Sequence, residues 1–141
     1  AQTIVESGKS VLVLVPEISL TPQIASRFRK AFGSRVALWH SRMTRAEKGW
    51  TWQQLKKEKF SVVVGARSAI FAPLKNLGLI IVDEEQESSY KQENPVPRYN
   101  ARDVAMVRGK HAEAIVLLTS ATPCLESYYN AISVKVALYC L

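Results

Sequence analysis

Leu79-Ile80-Ile81-Val82-Asp83-Glu84-Glu85-Gln86 is the stretch on which the fold turns. Its apolar, mostly β-branched start is too short for a helix and is closed abruptly by charge. Such a run reads as a strand buried on both faces, the habit of a parallel sheet, with carboxylates delivered at its tip. Working outward, the same pattern recurs at residues 11–15, closed by Pro16, at 36–39, at 61–64 before Gly65, and at 115–118 before Thr119.

Helical spacing fills the gaps. Ile24, Ala25, Phe28 and Phe32 share one face of a helix predicted over 20–32, with Gly33 as its stop. Thr44, with Glu47 at the capping-box position, starts a helix running to about residue 57. Residues 101–112 and 125–132 also read as helices. Residues 134–141 are a candidate further strand, and the polar stretch 84–100, with Pro95 and Pro97, reads as a long loop. Residues 1–7 read as the tail of a helix stopped by Gly8, so an upstream segment is expected. Alternating strands and helices predict an α/β fold, a parallel sheet of about five strands with helices on both faces. Ligands of such sheets sit beyond the carboxyl ends of the strands.

Those ends hold the candidate chemistry. At the first, Asp83 and Glu84 stand together. A motor that splits ATP needs one carboxylate for Mg²⁺, usually through water, and a second to orient and deprotonate the attacking water. Asp83 suits the first role and Glu84 the second; alone, the pair also reads as a strand end with a solvated acidic loop. Thr119-Ser120-Ala121-Thr122-Pro123 places small hydroxyls at another tip, where they can hydrogen-bond a neighbouring carboxylate or phosphate, or merely cap a helix.

A nucleic-acid surface is the second expectation. Pro16, Thr21 and Gln23 lie between a strand and a helix start, where backbone amides can meet a phosphate. Gly65, Arg67 and Ser68 follow a strand tip in the same way. Tyr90, Lys91, Arg98, Tyr99 and Arg102 interleave aromatics with cations, a composition suited to unpaired bases, though equally that of a mobile loop. Gly8-Lys9-Ser10 imitates the end of a phosphate-binding loop, but Thr3 stands where its first glycine belongs, and the strand follows rather than precedes it.

Composition narrows the field. Of 141 residues, 48% are hydrophobic, which excludes a disordered chain and predicts one domain with one core. Lys and Arg exceed Asp and Glu by 19 to 12, a net +7 that favours polyanionic partners, DNA above all. Cys124, Cys140, His40 and His111 have no metal-ligand spacing, so no metal is expected besides Mg²⁺ at Asp83. No apolar run is long enough to span a bilayer and no signal peptide is present, so a cytoplasmic location is expected.

Taken in order, these motifs resemble the first motor domain of a two-domain helicase, and more closely the bacterial primosomal protein N′ (PriA) family. The resemblance rests on Val15 to Gln23, Val62 to Pro73, Gly78 to Gln92, Pro97 to Ala105 and Ser120 to Ser127. It implies a RecA-like domain of an ATP- and Mg²⁺-dependent 3′-to-5′ DNA helicase acting in replication restart. The implied partners are branched and single-stranded DNA, single-strand-binding protein and other primosome proteins. Residues 88–100 resemble the family's aromatic-rich loop, thought to couple DNA binding to hydrolysis. By the same matching Asp83, Glu84 and Gln86, with Ser120 and Thr122, form the catalytic and coupling set. Gln86 replaces the family's usual histidine and Cys124 its usual serine. The family's phosphate-binding loop is expected upstream of Ala1, so neither ATP nor Mg²⁺ is expected to stay on this chain alone. Two alternatives stand beside this reading: another helicase-like translocase of restriction or repair, and a degenerate DNA-binding module without ATPase activity.

Overall fold

The computed structural model describes residues 1–133 and 135–139. Its sheet comprises β1 (Ser10–Leu14), β2 (Val36–Trp39), β3 (Val62–Gly65), β4 (Leu77–Asp83) and β7 (Ile115–Thr119), all parallel, in the order β2-β3-β1-β4-β7. The helices are α1 (Gln2–Glu6), α2 (Pro22–Phe32), α3 (Arg45–Lys56), α4 (Ala101–Ala112) and α5 (Leu125–Ile132). The expected α/β class, strand number and two helical layers are all present.

Side-chain alternation splits the core in two. Val11, Val13, Val62, Val64 and Leu79 pack against α1 and α2, with Val5 and Phe32 supplied by those helices. Leu12, Leu14, Val63, Ile80 and Val82 pack on the other face, beneath Leu55 of α3 and Ala101 and Ala105 of α4. A strand buried on both faces must be apolar at every position, which is why these runs do not alternate with polar residues.

The caps follow local chemistry. Thr44 and Glu47 form a reciprocal capping box, and Thr21 caps α2 through Ile24 N. Gly8 and Gly33 take positive φ, 79° and 63°, and end α1 and α2. Gly65 is needed for a different reason. A Cβ there would press on the Trp39 carbonyl oxygen and lie 2.7 Å from the Ala69 methyl. Backbone cannot yield as a flexible side chain does, so Gly65→Ala is expected to cost about 3 kcal/mol, the upper part of the overpacking range. A lowered urea midpoint is the readout; an unchanged midpoint would show that β2 and β3 can separate freely.

Three expectations need correction. The stretch 84–100 is no plain loop: a 3-10 turn, Ser88–Tyr90, leads into an antiparallel hairpin of β5 (Lys91–Gln92) and β6 (Tyr99–Asn100). The helix expected from residue 20 starts at Pro22, because residues Glu17–Ser19 form a separate 3-10 turn before the Thr21 cap. Of the strand expected over 134–141, residues 135–139 carry none, since no described strand lies alongside to pair with them; 134, 140 and 141 lie outside the described residues.

The sheet ends unequally. β7 is a border strand, and Ile115 and Leu117, on the face shared with α1 and α2, are 62% and 45% exposed. α5 has no buried residue. Among the described residues nothing covers this apolar corner. No helix of the described residues is long and apolar enough to cross a membrane.

Candidate active site

β4 and β7 end side by side, with Asp83 paired to Thr119. The Thr119 hydroxyl donates to Asp83 Oδ1 at 2.7 Å, leaving the other carboxylate oxygen without a partner among the described residues. Glu84 follows in a left-handed conformation, φ 50°, a strain of about 1 kcal/mol or more for a non-glycine residue. Glu87 N bonds back to Glu84 O at 2.9 Å and Glu85 N to Thr119 O at 3.0 Å, so the turn is held on both sides. This reversal points the two adjacent glutamates to different places.

Glu84 stays half-buried at the surface, where Gln86 Nε2 donates to its Oε2 at 2.7 Å. Gln86 Oε1 accepts from Ser120 Oγ at 2.5 Å, and Ser120 Oγ in turn accepts from Thr122 N at 2.9 Å. One amide therefore joins the acidic turn to the loop after β7, donating to one and accepting from the other. A glutamine side chain has both capacities without carrying charge. Thr122 enters through its backbone, while its side chain is exposed.

Glu85 turns inward and is only 3% exposed. It accepts from Cys124 N at 2.8 Å, Ser127 Oγ at 2.9 Å and Arg102 Nη1 at 3.3 Å. Burial pushes its pKa up, but the bonds from Cys124, Ser127 and Arg102 together outweigh burial and hold it below the ordinary carboxylate value. Glu85 thus ties the acidic turn to α4 and to the start of α5. Glu85 is the site residue that sequence reasoning passed over, whereas Thr119 was expected only as one of several small hydroxyls able to meet a carboxylate, a phosphate or a helix start. Two strand ends rich in polar residues hinted at Thr119, but only the register puts it on Asp83. Nothing local distinguishes Glu85 from Glu84.

The expected nucleic-acid residues divide. Gln23, Ser68, Lys91 and Arg98 are exposed. Arg67 reaches across to the carbonyls of Ser89, 3.3 Å, and Lys91, 2.8 Å, so it braces the hairpin at the sheet's carboxyl edge. Tyr99 is half-buried edge-on against Phe71, with ring centroids 5.1 Å apart, and Thr21 spends its hydroxyl on the α2 cap. Pro16 and Gly65 are buried, so a phosphate contact there would run through backbone, and Tyr90 is a correction, because its buried ring offers a base no surface. Tyr90 is 1% exposed, and its hydroxyl donates to Asp83 O at 2.6 Å. Burial and the nearby carboxylates push its pKa well up, so it remains a donor. Its ring fills the core under the acidic turn instead of stacking on a base. Arg102 is likewise mostly buried, its guanidinium shared between Glu85 at 3.3 Å and the exposed Asp103 at 3.0 Å.

As for a metal, Asp83 offers one carboxylate with a free oxygen, which suits a water-mediated Mg²⁺ contact. No group of three or more His, Cys, Asp or Glu among the described residues converges to hold an ion by itself.

Comparison with known proteins fits this geometry. The chain is 54% identical over 130 residues to replication restart protein PriA of Bacillus subtilis and 51% identical over 133 residues to that of Chlamydia pneumoniae. These alignments cover 92% and 94% of the chain but only 16% and 18% of the relatives, so the chain spans less than a fifth of their length. The helicase domain of Pyrococcus furiosus Hef has the same fold, with a TM-score of 0.58 at 21% identity over 89% of this chain and 26% of that one. Residues 1–130 match the family described as DEAD/DEAH box helicase, and the chain belongs to that family.

Proposed function

We propose that this chain is the carboxylate half of an ATP-driven motor domain, within a 3′-to-5′ DNA helicase of the PriA type that acts in replication restart. The observation that carries it is the hydrogen-bonded line from Thr122 N through Ser120 and Gln86 to Glu84. Such a line lets the state of the hydrolytic carboxylate be felt by the loop after β7. Bound Mg²⁺ would supply charge neutralisation for the transferring phosphate. Asp83 would hold its water shell, and Thr119 keeps the Asp83 carboxylate turned to that task. Glu84, in its strained turn, would orient the attacking water and take its proton.

The phosphate cradle is assigned to a separate segment. The open border of β7, with Ile115 and Leu117 bare beside it, offers a seat for a further strand carrying that loop. Gly8-Lys9-Ser10 does not replace it, because Ser10 opens β1 and its hydroxyl is taken by Lys75 O at 2.7 Å. DNA would cross the strand tips near Gln23, Ser68, Lys91 and Arg98. Branched and single-stranded DNA, single-strand-binding protein and other primosome proteins are the proposed partners, in the bacterial cytoplasm.

The test compares the 141-residue chain with the full-length protein. The chain alone is expected to hydrolyse no ATP, and the full-length protein to do so with stimulation by DNA. Ser120→Ala in the full-length protein is expected to keep most of its ATPase rate and lose strand separation. Equal loss of both activities would refute the linking role, and DNA-stimulated turnover by the chain alone would refute the half-site.

A further inference from the structure

Between Glu17 and Glu47 the sequence has no acidic residue and six cations: Arg27, Arg29, Lys30, Arg35, Arg42 and Arg45. This segment builds α2, β2 and the start of α3, the outer edge of the sheet opposite β7. Among the described residues none of the six lies within ion-pair distance of a carboxylate. Glu17 and Glu47 line the clefts here, but six cations exceed two carboxylates, and like charges in excess repel one another, a cost that a polyanion would relieve.

The surface there is not flat. Two clefts, about 400 and 600 Å³, adjoin along β2 and share Arg29, Leu38, His40 and Arg42. The first is continuous with Thr21 at the strand-tip surface. The second reaches Trp50, which is 60% exposed and rests edge-on against Phe60 with centroids 6.1 Å apart. That contact fixes the indole ring and leaves much of it open to a ligand.

We infer that this edge is a second binding stretch for single-stranded nucleic acid, with backbone phosphates on Arg29 and Arg42 and an unpaired base against Trp50. The inference rests on the nucleic-acid reading above and extends the strand path from the tips around the β2 edge. The spread of cations over three successive elements suits a repeating phosphate backbone better than one acidic side chain. The free aromatic face suits a base, and a duplex would keep its bases from it.

The experiment titrates the chain with an oligothymidylate of about twenty nucleotides, following anisotropy and tryptophan emission. Trp50→Leu is expected to weaken binding about tenfold and abolish most of the quenching, as loss of one stacked base should. Arg29→Ala/Arg42→Ala is expected to lower the slope of log affinity against log salt by about 1.4, from about 0.7 per single-strand phosphate contact. Circular dichroism checks folding, and the arginine pair, exposed and outside the core, keeps the test valid if Trp50→Leu unfolds. Inorganic polyphosphate should bind without quenching Trp50; equal quenching would overturn the base contact. Loss of binding in Lys91→Ala/Arg98→Ala, with none in the edge variants, would sink this proposal and leave the strand-tip reading standing. No binding by any form would overturn both. An acidic peptide that outcompetes the oligonucleotide would assign the edge to a protein partner instead.

Discussion

Glu85→Ala is expected to destabilise the domain by about 3–5 kcal/mol, the cost of breaking a buried charge pair from one side. Glu85 is the acceptor for Cys124 N, Ser127 Oγ and Arg102 Nη1. Its removal leaves Arg102, whose side chain is 13% exposed, without its inner carboxylate, and leaves a helix-start amide unpaired. Domains of this size hold only about 5–15 kcal/mol in all, so the variant should melt roughly 10 °C lower and populate unfolded chain near body temperature. Glu85→Gln retains the shape and one acceptor oxygen and should fall between the two.

The same residue sets a pH dependence. Its folded-state pKa lies below the ordinary value of 4.5, so its contribution is complete above that pH. It is lost as pH falls below 4.5 and through the folded-state value, where the native carboxylate takes up its proton. Thermal melts across that acid range should therefore drop more steeply in the parent than in Glu85→Gln. An alanine variant as stable as the parent, or identical acid profiles, would show that the buried bonds contribute nothing net.

Glu84→Gln is expected to lower ATP turnover in the full-length protein by about 100-fold or more, the scale of losing a general base, if Glu84 has the role proposed for it above. Stability should hardly move. Glu84 is half-exposed, and an amide oxygen at the same place still accepts from Gln86 Nε2. The two adjacent glutamates thus predict opposite phenotypes: loss of rate with a normal melt at Glu84, a lowered melt at Glu85. Turnover within a few-fold of the parent in Glu84→Gln would remove this residue from the hydrolytic role.

What the sequence alone determined is local and periodic. Runs such as 79–82, apolar at every position, announce strands covered on both faces, and Ile24, Ala25, Phe28 and Phe32 announce a helix with one buried side. Thr44 with Glu47 and Gly33 at a helix end mark boundaries because capping involves only near neighbours. The placing of Asp83 and Glu84 at a strand tip was legible for the same reason. Tertiary structure decided what depends on distant partners. The register of β4 on β7, which no short segment encodes, set Thr119 on Asp83. The left-handed Glu84 sent Glu85 inward to meet Arg102 and the start of α5, although as letters the two glutamates are identical. Tyr90, among cations, has the composition of a base-stacking loop, yet its ring is buried and its hydroxyl serves the Asp83 carbonyl. Burial of an amphipathic ring is settled by which cavity lies beneath it, and that cavity exists only once the sheet and α4 have assembled.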